Sequence, residues 1–312
     1  MLADPRTGRQ HALAVLQGLL VTLLWSSSWI LIKIGLDDLE LQPLSFAGLR
    51  YALAALILLP FGIRAMRAAH ATTPLSGPLL GRVAIYGLLF VAVAQGAQFA
   101  ALAVLPATAV SLILASIPVW VAILALAGGE RASVGQAAGI GLLTVGAVLY
   151  FGPFSVGADA GIGFLAAAMC VAAAAISSHL GRGLARDAMA RLGGPVGLTA
   201  ASMAVGGLGL LVVSVVVEGW SAPDPAGWLI IGWLAAVNTA FAFTLWNLTL
   251  RTLTAVESSV VNNTMTIQIA VLAIVFLGER LEPLQLLGLL LAAVGAAGVQ
   301  LAPVLRSRYA AR

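Results

Sequence analysis

The tripeptide Gly-Glu-Arg occurs twice, opening GERASVGQAAGIGLLTVG (Gly129–Gly146) and GERLEPLQLLGLLLAAVG (Gly278–Gly295). Behind it one glutamine and two glycines return in register: Gln136, Gly139 and Gly146 in the first copy, Gln285, Gly288 and Gly295 in the second. Matches at one constant offset, three of them a contiguous tripeptide with two charges, point to an internal duplication rather than chance likeness between two Leu/Ala/Gly-rich stretches. What was duplicated is decided by the chain on either side.

That chain is 312 residues long, 61% hydrophobic and 9% charged, with a mean hydropathy of +1.04. A soluble domain carries roughly 25% charged residues, so water is not the main solvent here. Apolar stretches long enough to cross a hydrocarbon core of roughly 30 Å follow one another, with predicted spans at 12–36, 43–65, 83–104, 106–127, 135–153, 160–181, 195–217, 226–248, 256–277 and 283–303. The uncharged run from Val83 to Gly129 would be about 70 Å long as one helix, so it is expected to turn at Leu105-Pro106. The first run is too long for a signal-peptide core and no clear cleavage site follows it, so it reads as a retained span. The short polar ends, Met1–Gln10 and Arg306–Arg312, are expected to fray.

Basic residues stay on the cytoplasmic side of short loops. With the N-terminus inside, every arginine except Arg50 and Arg280 falls in a cytoplasmic segment. The opposite loops collect Asp37, Asp38, Glu40, Asp159, Glu218, Asp224, Glu279 and Glu282. Ten spans with both termini inside satisfy this bias. Each copy, 12–153 and 160–303, then holds five helices, and an odd number turns the second copy upside down relative to the first. The expectation is an all-α integral membrane protein, ten transmembrane helices forming two inverted five-helix repeats around a central cavity. Secondary transporters use this plan, with the substrate near the midplane between the halves.

Other classes fit poorly. The basic residues are scattered between apolar segments, which argues against a nucleic-acid partner. One cysteine, Cys170, permits no disulfide framework and no paired thiolate ligands, and reads as a packing residue. His11, His70 and His179 are far apart, and no metal-ligand or nucleophile–base spacing occurs, so neither an enzyme, a metal nor a cofactor is expected. The expected partners are a small-molecule substrate and the lipid bilayer, with the chain a monomer or a homodimer.

Polar residues inside apolar spans are the first candidates for function. Trp25, Trp29 and Lys33, the only lysine, share one face of the first span. An aromatic surface beside a cation suits an amino acid; the competing reading has Lys33 snorkelling to the interface within a tryptophan belt. Arg50 lies roughly 10 Å into the second span. It either receives an anionic substrate group or, the favoured reading, fastens to an acid in an outer loop. Gln95 and Gln98, with Phe99 close by and Tyr86 about two and a half turns earlier, can orient a partly apolar solute or hydrogen-bond between helices. Asn238 and Thr239 sit in the middle of the eighth span, with Trp246 and Asn247 toward its inner end. In the ninth span Ser259, Asn263 and Thr266 share a face, with Asn262 beside them.

The candidates for the cavity wall are thus Trp25, Trp29, Tyr86, Gln95, Gln98, Asn238, Trp246, Asn263 and Thr266. Glu257 is the one carboxylate within a span and is placed either to carry a proton or to pair with Arg251. His179 is the other titratable option, against a packed or interfacial role. A proton-coupled mechanism at Glu257 predicts that Glu257→Gln abolishes pH-driven flux. Gly135, Gly139 and Gly146, with Gly288, Ala292 and Gly295, form small-residue faces expected to cross-pack as scaffold. Pro118 is expected to interrupt the fourth span, whereas its counterpart is Ile267.

Taken together, Trp25-Ser26 with Lys33, then Pro43, Phe46 and Arg50, Pro118, and both Gly-Glu-Arg turns with Gln and Gly behind them resemble the drug/metabolite transporter superfamily, specifically its ten-helix EamA-type exporters. The resemblance covers nearly the whole chain and implies export of metabolites across a bacterial inner membrane by alternating access. The aromatic candidates are most similar to the branch exporting aromatic and other neutral amino acids. Ser26 stands where a glycine often follows the tryptophan, and Ile267 where a second proline is usual. Cationic drugs as cargo would need a buried carboxylate, and nucleotide sugars several convergent basic groups, of which only Lys33 and Arg50 are available.

Overall fold

The computed structural model describes residues 5–68, 76–127, 133–152 and 158–310. All regular structure among them is helical, and ten helical stretches are long and apolar enough to cross a membrane. The first two spans are α1 (Pro5–Asp37) and α2 (Pro43–Ala68). The third joins α3 (Gly77–Gly87) to α4 (Ala94–Leu102) through a π-helical segment, Leu88–Val93. The fourth is split into α5 (Ala107–Leu114) and α6 (Ile117–Ala127). Then come α7 (Val134–Phe151), α8 (Ala158–Arg191) and α9 (Pro195–Val217). The eighth span joins α10 (Pro225–Trp233) to α11 (Ala242–Thr249) through a second π-helical segment, Leu234–Phe241. The last two are α12 (Ala255–Phe276) and α13 (Pro283–Ala310).

The spans follow the apolar runs closely, with two differences. Both ends expected to fray are largely helical, since α1 begins at Pro5 and α13 continues to Ala310. The third span begins at Gly77, not at Val83, because the exposed Arg82 ends an apolar run without ending a helix. A backbone already hydrogen-bonded within itself continues past the hydrocarbon boundary at no cost. The fourth span breaks as expected: Ala115 and Ser116 separate its two helices, and Pro118 sits in the first turn of α6, where a missing N–H is harmless. Its counterpart Ile267 lies inside the unbroken α12. The turn before α5 falls at Leu105-Pro106.

The chain divides into two compact units, and both repeats contribute to each. Unit 1 comprises Met1–Ile30, Pro106–Val156 and Ala242–Arg312; unit 2 comprises Leu31–Leu105 and Gly157–Phe241. Unit 1 is organised around the antiparallel pair α7 and α13. Here the duplicated glycines explain themselves. A Cβ on Gly146 would lie 2.5 Å from Gly288 O, and one on Gly295 would lie 2.6 Å from Gly139 O. The offset that carries Gly139 to Gly288 and Gly146 to Gly295 therefore turns one contact into the other, which is the signature of a two-fold axis between inverted copies. Such backbone-on-backbone approach admits only glycine. Unit 2 repeats the device: α2 lies antiparallel against α9, with Gly48 on Leu211 and Gly62 beside Gly197 and Ala200.

The duplicated glutamines are helix caps. Gln136 accepts from the Ser133 N–H at 2.9 Å and Gln285 from the Glu282 N–H at 2.9 Å, so each satisfies an otherwise unpaired donor at its helix start. Glu279 of the second Gly-Glu-Arg caps a different helix, accepting from Ala107 N (2.6 Å), Thr108 N (3.3 Å) and the Thr108 hydroxyl (2.6 Å) at the start of α5. Having given its proton to Glu279, the Thr108 hydroxyl accepts from Tyr150 at 2.7 Å. Glu218 does the same for α2 in unit 2, through Leu44 N (2.8 Å) and Ser45 N (2.9 Å). Gly129, Glu130 and Arg131 of the first tripeptide lie outside the described residues, as does His70.

Candidate functional site

In unit 2 the polar positions converge on Arg50. Its side chain is 4% exposed, about two turns into the apolar α2. The guanidinium donates from Nε to the Thr239 hydroxyl at 3.0 Å and lies 5.2 Å and 6.0 Å from the ring centres of Tyr51 and Phe99. The geometry of Thr239 depends on the π-segment. Its hydroxyl donates to Leu234 O, five residues back, at 2.8 Å, which leaves a lone pair free to accept from Arg50. Beside it the Tyr51 hydroxyl donates to Gln95 Oε1 at 2.6 Å, and Phe46 meets Phe99 edge-on at 5.1 Å. Asn238 and Thr239 are fully buried, Gln98 nearly so. No carboxylate lies within 4 Å of Arg50 among the described residues, so the expected fastening to a loop acid is not found. The nearby acids are otherwise engaged, Glu218 capping α2 and Asp224 capping α10 through Gly227 N.

Tyr86 stands apart from this group. The π-segment separates it from the two glutamines; it stacks on Phe90 with centroids 5.5 Å apart and packs against Leu79, Val83, Leu184, Leu192 and Leu198. Lys33 has two partners near the end of its span. It pairs with Asp37 at 3.0 Å and donates to Leu102 O at 2.9 Å, closing the end of α4 with a cation where the helix dipole favours one. His179 is exposed on α8.

Unit 1 holds a second constellation. Trp25 on α1 is flanked by Phe243 and Trp246 of α11, at centroid distances of 5.1 and 5.4 Å. Its indole Nε1–H is buried and meets no acceptor among the described residues. Trp29, one turn on, is buried. On another face of α1, Ser26 donates to Gln268 Oε1 at 2.9 Å, while Gln268 Nε2 donates to Thr22 (3.2 Å) and Thr264 (3.0 Å), joining α1 to α12. On α12 the expected polar face turns to α13: Ser259 donates to Gln300, and Gln300 Nε2 donates to Asn263 Oδ1 at 3.3 Å. Asn263 Nδ2 is left buried without an acceptor among the described residues. Thr266, on the same helix, is half-buried. Gln300 went unnoticed in the sequence because it stands alone in an apolar helix, where a glutamine carries no periodic signal.

Glu257 pairs with His11 at 3.2 Å, not with Arg251, and forms a capping box with Thr254 at the start of α12. Glutamine serves equally in a capping box. Glu257→Gln is therefore expected to leave the melting temperature unchanged, whereas Thr254→Ala is expected to cost about 1 kcal/mol; thermal unfolding of the two variants in detergent checks this. Glu257→Gln then tests proton coupling without a folding defect, and retained pH-driven flux removes Glu257 from the mechanism.

A duplicated ten-span helical fold with aromatic and polar side chains held inside its spans defines a multi-pass membrane protein of the transporter class. The EamA-like transporter family matches twice, over residues 12–152 and 161–301, and the chain belongs to that family. No curated protein matches the chain. Among solved structures 17 chains match; one, named only "Crystal structure of protein", covers 93% of this chain and 98% of its own with a TM-score of 0.65. At 19% identity it shares the fold and says nothing of the cargo.

Proposed function

We propose that the protein exports small, partly apolar organic solutes, aromatic and other neutral amino acids first among them, outward across a bacterial cytoplasmic membrane by alternating access, with both termini cytoplasmic. The repeats are those at 12–153 and 160–303. The observation that carries the reading is the aromatic group Trp25, Phe243 and Trp246 around an indole N–H that has no acceptor among the described residues. A buried donor left unsatisfied costs roughly 1–3 kcal/mol, and a solute presenting a ring and an acceptor relieves that cost. The engagement of Glu218, Glu257 and Glu279 at helix ends supports this cargo over cationic drugs, since those acids sit where helices need caps.

The test is flux into liposomes carrying the purified protein, with labelled phenylalanine, tryptophan, threonine and a cationic dye, each with and without a pH gradient. Saturable amino-acid flux, competed by other neutral amino acids, is expected. Dye flux alone would overturn the amino-acid reading while leaving the family assignment intact.

A further inference from the structure

We propose that Arg50 is the subsite that binds the carboxylate of the transported solute; the inference deepens the amino-acid reading and rests on the protein being a transporter. The other described ion pairs and carboxylate caps near span ends have local partners: Lys33 has Asp37 and a helix-end carbonyl, Glu218 and Glu279 have helix N-termini, and Glu257 has its cap and a contact with His11. Arg50 is the exception. It lies deeper in its span, it is 4% exposed, and it has no carboxylate within 4 Å among the described residues. A guanidinium has five N–H donors; here Nε is bonded to Thr239, and no acceptor among the described residues is bonded to the Nη groups.

Arg50 alone cannot offset its own desolvation. Burying an ion is costly even after relaxation, and two aromatic neighbours recover only part of that cost. A purely structural arginine in lipid is expected to find an acid or backbone carbonyls. Instead the protein fixes the Nε end. The π-segment commits the Thr239 proton to Leu234 O and aims its lone pair at Nε, while Tyr51 and Phe99 stand beside the guanidinium. Anchoring Nε leaves the paired Nη edge as the fork that recognises a carboxylate in bidentate fashion.

A cavity of about 310 Å³ lies at the same end of α2. Its lining residues include Gln42, Ser45, Phe46 and Leu49 of the first two turns of α2, with Glu40 and Asp224. Asp224 caps α10, but Glu40 repels a bare anion and offers a partner to the ammonium of an amino acid. The chemistry therefore fits an α-amino carboxylate better than an inorganic anion.

The experiment measures ligand-induced thermal stabilisation of the purified full-length protein with phenylalanine, phenylalaninamide, 3-phenylpropanoate, chloride and phosphate, in wild type, Arg50→Gln, Arg50→Lys and Thr239→Val. Phenylalanine is expected to stabilise wild type at a concentration at least tenfold below that needed of phenylalaninamide, with 3-phenylpropanoate intermediate and the inorganic ions inert. Arg50→Gln is expected to erase the difference between acid and amide. Arg50→Lys, which keeps the charge without the fork, is expected to weaken the acid about tenfold and is the variant measured if Arg50→Gln does not fold. Thr239→Val, which frees Nε, is expected to narrow the difference.

Equal stabilisation by acid and amide, unaltered in the variants, overturns the inference even if amino-acid flux is intact. Arg50-dependent binding of 3-phenylpropanoate alone upholds the carboxylate site and overturns the amino-acid cargo. Arg50-dependent stabilisation by chloride or phosphate but by no carboxylate overturns the proposal in favour of an inorganic anion, and no Arg50-dependent stabilisation by any probe overturns it outright.

Discussion

Gly146→Leu is expected to lower the melting temperature in detergent by roughly 2–5 °C, and Gly288→Leu by nearly the same amount. Both side chains enter one contact. A Cβ on Gly146 would meet Gly288 O and Ala292 N at 2.5 Å, and one on Gly288 would meet Gly146 O at 2.5 Å and Tyr150 N at 2.7 Å. The obstructing atoms are backbone, so no rotamer change relieves them and α7 must move away from α13. Overpacking of this kind costs typically 1–3 kcal/mol and occasionally more, and at about 2.1 cal/mol/K per residue 1 kcal/mol shifts the melting point of a chain of this length by about 1.5 °C. The control lies on the same helix. Gly141 has nothing within 4 Å of its Cβ direction, so Gly141→Leu adds apolar surface facing outward and is expected to leave the melting point unchanged. If Gly141→Leu proves as damaging as Gly146→Leu, helix propensity or insertion, and not the two-fold contact, governs the stability of the pair.

The same physics separates what could be read in the sequence from what could not. Span positions were legible because a membrane requires long uninterrupted apolar runs with internally satisfied backbones, and Pro106 and Pro118 both fall where a new helix begins. The glycine faces were legible because small residues recurring along a helix serve little else in lipid. The π-segments were invisible: an extra residue per turn is detected by a shift in hydrophobic phase, and α3–α4 and α10–α11 are apolar almost all round. Thr239 consequently gave no sign that its hydroxyl would face Arg50, 189 residues earlier in the chain. Gln136 and Gln285 were recognised as repeat markers, yet their role emerges only when the helix starts are known, since a cap is defined by the residue it faces. The partners of Lys33 were hidden for a related reason. Its helical face pointed to Trp25 and Trp29, but a four-carbon stem reaches Leu102 O on another helix. Long side chains are poorly placed by periodicity.

Trp25→Phe is expected to raise the KM for aromatic amino-acid flux about tenfold while leaving the melting temperature equal to or above that of wild type. The two signs arise from one atom. The indole Nε1–H is buried without an acceptor among the described residues, so removing it relieves a desolvation cost of roughly 1–3 kcal/mol and offsets the smaller ring. With solute bound, the same N–H is available to an acceptor on the cargo, and its loss weakens binding by about one hydrogen bond. Phenylalanine preserves ring contact with Phe243 and Trp246, now 5.1 and 5.4 Å from the indole, so the packing of α1 on α11 persists. Trp25→Ala removes the ring as well; a deletion of this size in a packed core costs roughly 3–5 kcal/mol, and both flux and melting temperature are expected to fall. Paired flux and thermal-unfolding measurements on the two variants distinguish a binding tryptophan from a structural one. A lower melting point with an unchanged KM for Trp25→Phe would assign the residue to packing alone, and the search for the cargo's ring would move away from α1.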